Sequence, residues 1–341
     1  MNAFVNAKFG KTFNAGGIRT TACFFVLGCI VLLLSLWNLA CGEVDMPFQS
    51  LLQALVEPQG GDVFRRILWE LRIPRAVAAV LAGGGLAVAG LCLQAVFQNP
   101  LCGPFVLGIS SGASLGVALA LLAGFSFGHF GILGASSLGA LFVTGVVMWI
   151  AARFERGSIL LVAGLLMGYF IDAFVSILIA ESASESLRVF VAWGMGSFGR
   201  LTFGEIWIFL VAETIGLLLV GSSIRYLNAA RFGDDFARCL GVNAAFFKKI
   251  VLLGASILAG AATAFCGPVA FIGIAVPHLT FMLFKTTNHR ILLPGCFLCG
   301  AVLALMANLF PAGVPLNAIL SIIGVPVILF VLVRGSRRGR L

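Results

Sequence analysis

The sequence predicts an all-α polytopic membrane protein with about ten transmembrane helices and an inverted internal repeat. Three observations lead there. The chain is 60% hydrophobic and 10% charged, with a mean hydropathy of +1.10, beyond what a soluble domain tolerates. Its apolar runs are long enough to cross a hydrocarbon core of about 30 Å at about 1.5 Å per helical residue. Its 22 Lys and Arg divide 16 to 6 between the two sides those runs define, and such a bias sets orientation. The formal charge of +9 thus speaks of orientation and membrane lipid, with no nucleic acid partner.

Taken in order, residues 1–21 read as a polar cytoplasmic leader carrying Lys8, Lys11 and Arg19, and a first span follows at 22–40. That apolar run is too long for the core of a signal peptide, and Asn38 stands where a lipoprotein cleavage site needs leucine. Gly10-Lys11-Thr12 resembles the tail of a phosphate-binding loop, but Val5 replaces its first glycine and no strand precedes it. The segment 41–71 is polar and acidic, with Glu43, Asp45, Glu57, Asp62 and Glu70 beside Arg65 and Arg66. Further spans are legible at about 76–97, 107–123, 131–151, 159–180, 204–222, 250–265, 271–284, 291–310 and 317–333. The whole, 1–341, reads as one transmembrane domain, with helices over 22–335 and both termini cytoplasmic.

The second span ends unusually. An uncharged run stops at Gln98-Asn99-Pro100, then resumes through Gly108-Ile109-Ser110-Ser111-Gly112 into the next apolar segment. Lipid cannot satisfy open backbone groups, so such a break must lie against protein or water, and it is a candidate piece of a pathway wall. A similar break recurs. Cys102-Gly103-Pro104 is matched by Cys266-Gly267-Pro268, each after a helix with an Ala-Gly pair, Ala89-Gly90 and Ala259-Gly260. The two copies start five spans apart, so one is inverted against the other, a transporter signature.

Catalytic and metal chemistry find little support. Cys296 and Cys299 have metal or redox spacing but lie in an apolar helix without a second pair. His129, His278 and His289 form no ligand pattern, and no nucleophile stands beside a base. Asp172 and Glu213 are the acidic groups well inside spans. Such groups are functional candidates by default, and Asp172 could line a path. The longest interior polar segment, 226–249, falls on the cytoplasmic side. Gly233-Asp234-Asp235 suits a helix start, with carboxylates at the positive end of its dipole, and Gly241 suits its end. A short helix on a cytoplasmic loop has the form of a docking element.

The stretch RIPRAVAAVLAGGGLAVAGLCLQAVFQNPLCGPFVLGISSGASLG, from Arg72 to Gly116, resembles the signature of the FecCD-type ABC importer permeases. So do GDDFARCLGVNA, CGPVAFIGIAVPHLT, Asn288-His289-Arg290, Ile323-Gly324-Val325-Pro326 and Trp193-Gly194-Met195-Gly196-Ser197-Phe198. The resemblance runs from about residue 20 to 335 and departs from the family at Phe281 and at Gly313-Val314-Pro315-Leu316-Asn317. It implies a type II ABC importer permease fold and a subunit that is not itself an enzyme. It further implies assembly with a second permease copy, two cytoplasmic ABC ATPases that bind the ATP, and an extracytoplasmic substrate-binding protein in the bacterial inner membrane. No cofactor is expected on this chain. By position it casts Arg72 and Arg75 as docking residues for the binding protein. It places Asn99 and Leu101 in the loop that narrows the cytoplasmic exit; with Pro100 between them, and with Gly108, Ser110, Ser111 and Gly112 of the broken turn and Asp172 inside its span, they make up the candidate path and gate. Gly233, Asp234, Asp235, Ala237, Arg238, Leu240 and Gly241 fall to ATPase coupling, with Ala237 letting the ATPase approach closely. A ferric siderophore is the expected cargo, with haem, cobalamin or an oxyanion as alternatives. An ion-coupled secondary transporter would share the inverted repeat, but the coupling loop favours the importer.

Overall fold

Apolar sequence with few breaks folds here into helices alone among the described residues. The structure is a computed structural model and describes residues 2–42, 44, 46, 47, 49, 53, 54, 63–125, 131–153, 157–311 and 313–336. The acidic residues Glu43, Asp45, Glu57 and Asp62 of the segment 41–71 lie outside the described residues, as do His129, Glu155, Arg156, Arg337, Arg338 and Arg340.

Helix α1 runs Asn2–Ala40 without interruption. The expected boundary between leader and span is therefore absent from the backbone: Lys8, Lys11 and Arg19 are good helix formers, and no proline stops the chain. A short helical turn at Val63–Arg66 and a π-helical turn at Ile67–Arg72 then lead into α2 (Ile73–Phe97). Pro74 occupies the first turn of α2, where its missing N–H costs nothing. After the break come a 3-10 turn (Pro104–Leu107), α3 (Ile109–Leu121), α4 (Gly131–Arg153) and α5 (Gly157–Glu181). An unforeseen short helix, α6 (Ser184–Gly194), precedes α7 (Ile206–Ser222). The long interior polar segment folds as α8 (Ile224–Ala230) and α9 (Asp234–Cys239), and α10 (Ala244–Cys266), α11 (Ile272–Phe284), α12 (His289–Asn308) and α13 (Leu316–Ser336) complete the described residues. Seven of these helices are long and apolar enough to cross a membrane; α3, α11 and the stretch Leu316–Phe330 of α13 are shorter apolar helices. Thirteen residues rise about 20 Å, less than a hydrocarbon core. The irregular segments before α3 and α11 pack against neighbouring elements, Gly103 beside Ile274 and Gly267 beside the Trp193 carbonyl.

Helix α2 is the axis, packed by α12, α10, α11 and α7. Its three successive glycines admit different neighbours. A Cβ at Gly83 would come within 2.5 Å of the Gly300 carbonyl on α12, Gly84 faces the Phe297 ring, and the space beside Gly85 holds the Glu213 carboxyl of α7. Helices α3 and α4 lock in the same way, with Gly112 against Gly139 and Gly116 against Ala135. Small residues at such crossings let backbones approach, which is how helices associate where lipid is as apolar as they are.

Candidate translocation and coupling sites

At the N-terminal end of α2, two arginines three residues apart have different surroundings. Arg72 is 7% exposed. Its guanidinium donates from Nη1 to the carbonyls of Leu39 and Ala40, at 2.6 and 2.8 Å, and from Nη2 to that of Val44 at 2.5 Å. The last carbonyls of a helix lack intrahelical partners, and Arg72 satisfies those that end α1. Arg75 is half-buried, its Nε donating to Asn308 Oδ1 at 2.6 Å. Asn308 passes the contact on through its Nδ2 to Asn38 Oδ1 at 2.8 Å, and Asn38 donates to the carbonyls of Leu34 and Leu305. Arg75 and Asn308 line two clefts of about 480 and 220 Å³ that open at this rim. The expectation paired both arginines as outward-facing groups; the carbonyls at the end of α1 turn Arg72 inward.

At the other end of α2 the chain turns through Gln98, which is left-handed at φ 49°. The loop that follows is braced on several sides. The Leu101 N–H donates to Asn99 Oδ1 at 3.0 Å, the Cys102 N–H to the Asn99 carbonyl, and the Pro100 carbonyl lies 2.9 Å from His278 Nε2 on α11. Gln94 Nε2 reaches the Ile274 carbonyl at 3.3 Å. Pro100 and Leu101 are exposed and Asn99 half-buried. Gly108 has φ +70°, and a Cβ there would meet the Gly164 carbonyl at 3.0 Å. Gly108, Ser110 and Gly112 are buried and Ser111 half-buried. As wall residues, Gly108 and Gly112 set how closely α3 approaches α5 and α4; they do not present a surface. Asp172 is exposed on α5, on a face shared with Leu165 and Tyr169. Glu213 is 1% exposed, and neither carboxyl oxygen has a hydrogen-bond partner among the described residues.

The loop between α8 and α10 builds a capped helix. Gly233, at φ +102°, precedes α9, whose first residues are Asp234 and Asp235. Gly241, at φ +74°, ends it in a Schellman arrangement: its N–H donates to the Arg238 carbonyl at 2.9 Å and the Val242 N–H to the Ala237 carbonyl at 3.1 Å. Ala237 is fully buried, so its expected role as the residue that admits the ATPase is corrected: it seats α9 on its own protein. The presented face instead carries Phe232, Phe236, Arg238 and Leu240, the last 60% exposed. Helix α8 is tied to α12 by Asn228, which accepts from the His289 N–H at 2.9 Å and donates to Asn288 Oδ1 at 3.2 Å.

The FecCD transport family matches residues 30–334. The chain belongs to that family. Among its relatives is the vitamin B12 import system permease protein BtuC of Salmonella newport, 32% identical over 318 residues, covering 91% of this chain and 94% of that protein. The fold matches a metal-chelate type ABC transporter solved in an inward-facing conformation, with a TM-score of 0.80 and 27% identity over 91% of this chain and 98% of the other. PsaBC from Streptococcus pneumoniae in complex with Fab shares the fold at a TM-score of 0.50, 14% identity, 82% of this chain and 94% of that one. The family member described here is thus an all-α, multi-pass membrane protein with a type II ABC importer permease fold.

Proposed function

We propose that this protein is the membrane subunit of an ABC importer, forming with a second permease copy the path for a bulky metal chelate. Two ATPases bind and hydrolyse ATP at its cytoplasmic face, and an extracytoplasmic binding protein delivers the cargo. The observation that carries this reading is α9: a short helix closed at both ends by glycines and presenting Phe236 and Leu240 to the aqueous side. Apolar side chains held out on a rigid, capped helix fit a groove on a partner. Docking of the binding protein falls to Arg75, whose cleft accepts a carboxylate, while Arg72 holds the rim beneath it. Asn99, Pro100 and Leu101 form the cytoplasmic constriction, and the exposed face of α5 with Asp172 faces the path. Both termini are cytoplasmic by the arginine and lysine bias.

The relatives import vitamin B12 or are of metal-chelate type, which supports a cargo class that includes cobalamin and ferric siderophores. Purified alone in lipid, the chain hydrolyses no ATP above background. Reconstituted with its ATPase and binding protein, it accumulates one chelate in vesicles on ATP addition. Uptake of cobalamin or of a ferric hydroxamate distinguishes the two, and ATP hydrolysis by the isolated chain would overturn the assignment.

A further inference from the structure

Gln98 closes α2 in a left-handed conformation, φ 49° and ψ 33°. A helix normally takes such a turn with glycine, because a Cβ there crowds the following carbonyl. Its side chain shows what a glycine could not do. Gln98 Nε2 donates at 2.8 Å to the carbonyl of Ala230, the last residue of α8. That same carbonyl accepts the N–H of Gly233 at 3.0 Å, and Gly233 is the residue from which α9 starts. One carbonyl oxygen therefore joins the root of the docking helix to the first residue of the loop 98–102. On its far side the loop is held by His278 at the Pro100 carbonyl, 2.9 Å away.

We infer that Gln98 is the positioning residue through which displacement of α8 and α9 by the ATPase moves the constriction at Asn99–Leu101. The inference rests on the reading of α9 as the ATPase contact and of this loop as the gate. Helix α8 is a suitable lever because Tyr226, Leu227, Ala229 and Ala230 are buried and Asn228 fixes it to α12. It moves as a body when α9 is pushed. The loop beyond Gln98 is internally bonded through Asn99, so a pull at its first residue reaches Leu101 without being absorbed by slack. A strained backbone persisting at a functional junction fits this role.

The test uses the reconstituted complex of permease, ATPase and binding protein, with Leu101→Cys as reporter and N-ethylmaleimide labelling at that position read by mass spectrometry. Labelling is compared without nucleotide and with ATP plus vanadate. With Gln98 present, nucleotide changes the labelling rate by about fivefold or more, the lower end of ordinary coupling between sites. Gln98→Gly suits the left-handed backbone but deletes the donor. It reduces that change to under about twofold while nucleotide hydrolysis continues, so the two events come apart. Gln98→Met, of similar length without a donor, behaves like glycine, and Gln98→Lys, which keeps a donor of similar reach, restores the response. That difference separates the bond from mere filling of space. A full nucleotide response in both the Gly and Met variants overturns the inference and leaves the gate reading intact. A reporter at 101 that ignores nucleotide with Gln98 in place overturns the gate reading itself, and the inference falls with it.

Discussion

Replacing Arg72 by methionine separates a clamp from a docking group. The substitution keeps the aliphatic reach and removes three donated hydrogen bonds, to Leu39, Ala40 and Val44. Bonds from a charged donor contribute about 1.5–3 kcal/mol each. The three share one guanidinium, and the released carbonyls lie beside the cleft that Arg72 and Val44 line, where water can reach them, so the sum is discounted to about 2–4 kcal/mol. For a chain of this length that is a fall of about 3–6 °C in unfolding temperature. The protein supplies its own reporter: Cys92, Cys102, Cys266 and Cys296 are buried free thiols that react with a maleimide dye only as the bundle opens. Arg75→Met, which gives up the bond to Asn308 but leaves the end of α1 clamped by Arg72, shifts the transition less. The reasoning fails if Arg72→Met unfolds at the parental temperature yet no longer responds to the binding protein. That pattern would mean the guanidinium points outward in the working molecule.

Charge reversal at Arg75 to Glu should weaken stimulation of ATP hydrolysis by the binding protein and flatten its salt dependence; unchanged stimulation would remove Arg75 from the interface. Leu240→Asp should release the ATPase on co-purification while insertion and thermal stability stay parental. Ala237→Trp should instead disturb the fold of the loop, seen as lower yield of folded protein, because Ala237 is sealed against its own chain; a well-folded Ala237→Trp would refute that packing. Gly300→Val drives a side chain into the Gly83 carbonyl and the Ala87 methyl, costing about 3 kcal/mol or more; parental yield from this variant would contradict the α2–α12 contact. Gly241→Val should cost about 1–2 kcal/mol through its positive φ alone, as there is open space around it. Gly241→Asn, which tolerates that backbone, should remain near parental by the same unfolding assay.

Much of this architecture is legible in the chain because lipid enforces it. Long apolar runs have no alternative to helix, so the spans at 76–97 and 291–310 agree with the helices Ile73–Phe97 and His289–Asn308 to within a few residues. Helix α9 is legible for a local reason, since glycines at 233 and 241 mark both ends. What escapes depends on distant neighbours. Nothing near Arg72 or Arg75 says which turns inward, because that is decided by where α1 ends, some thirty residues earlier. Ala237 is small enough to face either a partner or its own bundle, and the burial of α8 beside it decides. Glycine and serine at 108–112 fit a path wall and a close helix crossing equally well by composition. Helix α6 is hidden by its Ser-Glu-Ser opening and its brevity, and the left-handed Gln98 has no sequence mark because glutamine rarely adopts it.

The central position of α2 bears on how the molecule is made. Ribosome and translocon deliver the helices in order, and α2 enters the bilayer long before the helices that cover it. Gly83 meets Gly300 and Gly90 meets Gly273, so both contacts wait until nearly the whole chain has been synthesised. During that interval its glycine-lined surface faces lipid or transient companions. An early stop, even one sparing the first six or seven helices, would strand a nascent intermediate with its central helix uncovered. Such fragments should be substrates for membrane proteases, and coexpressing the missing C-terminal helices as a separate chain should rescue them.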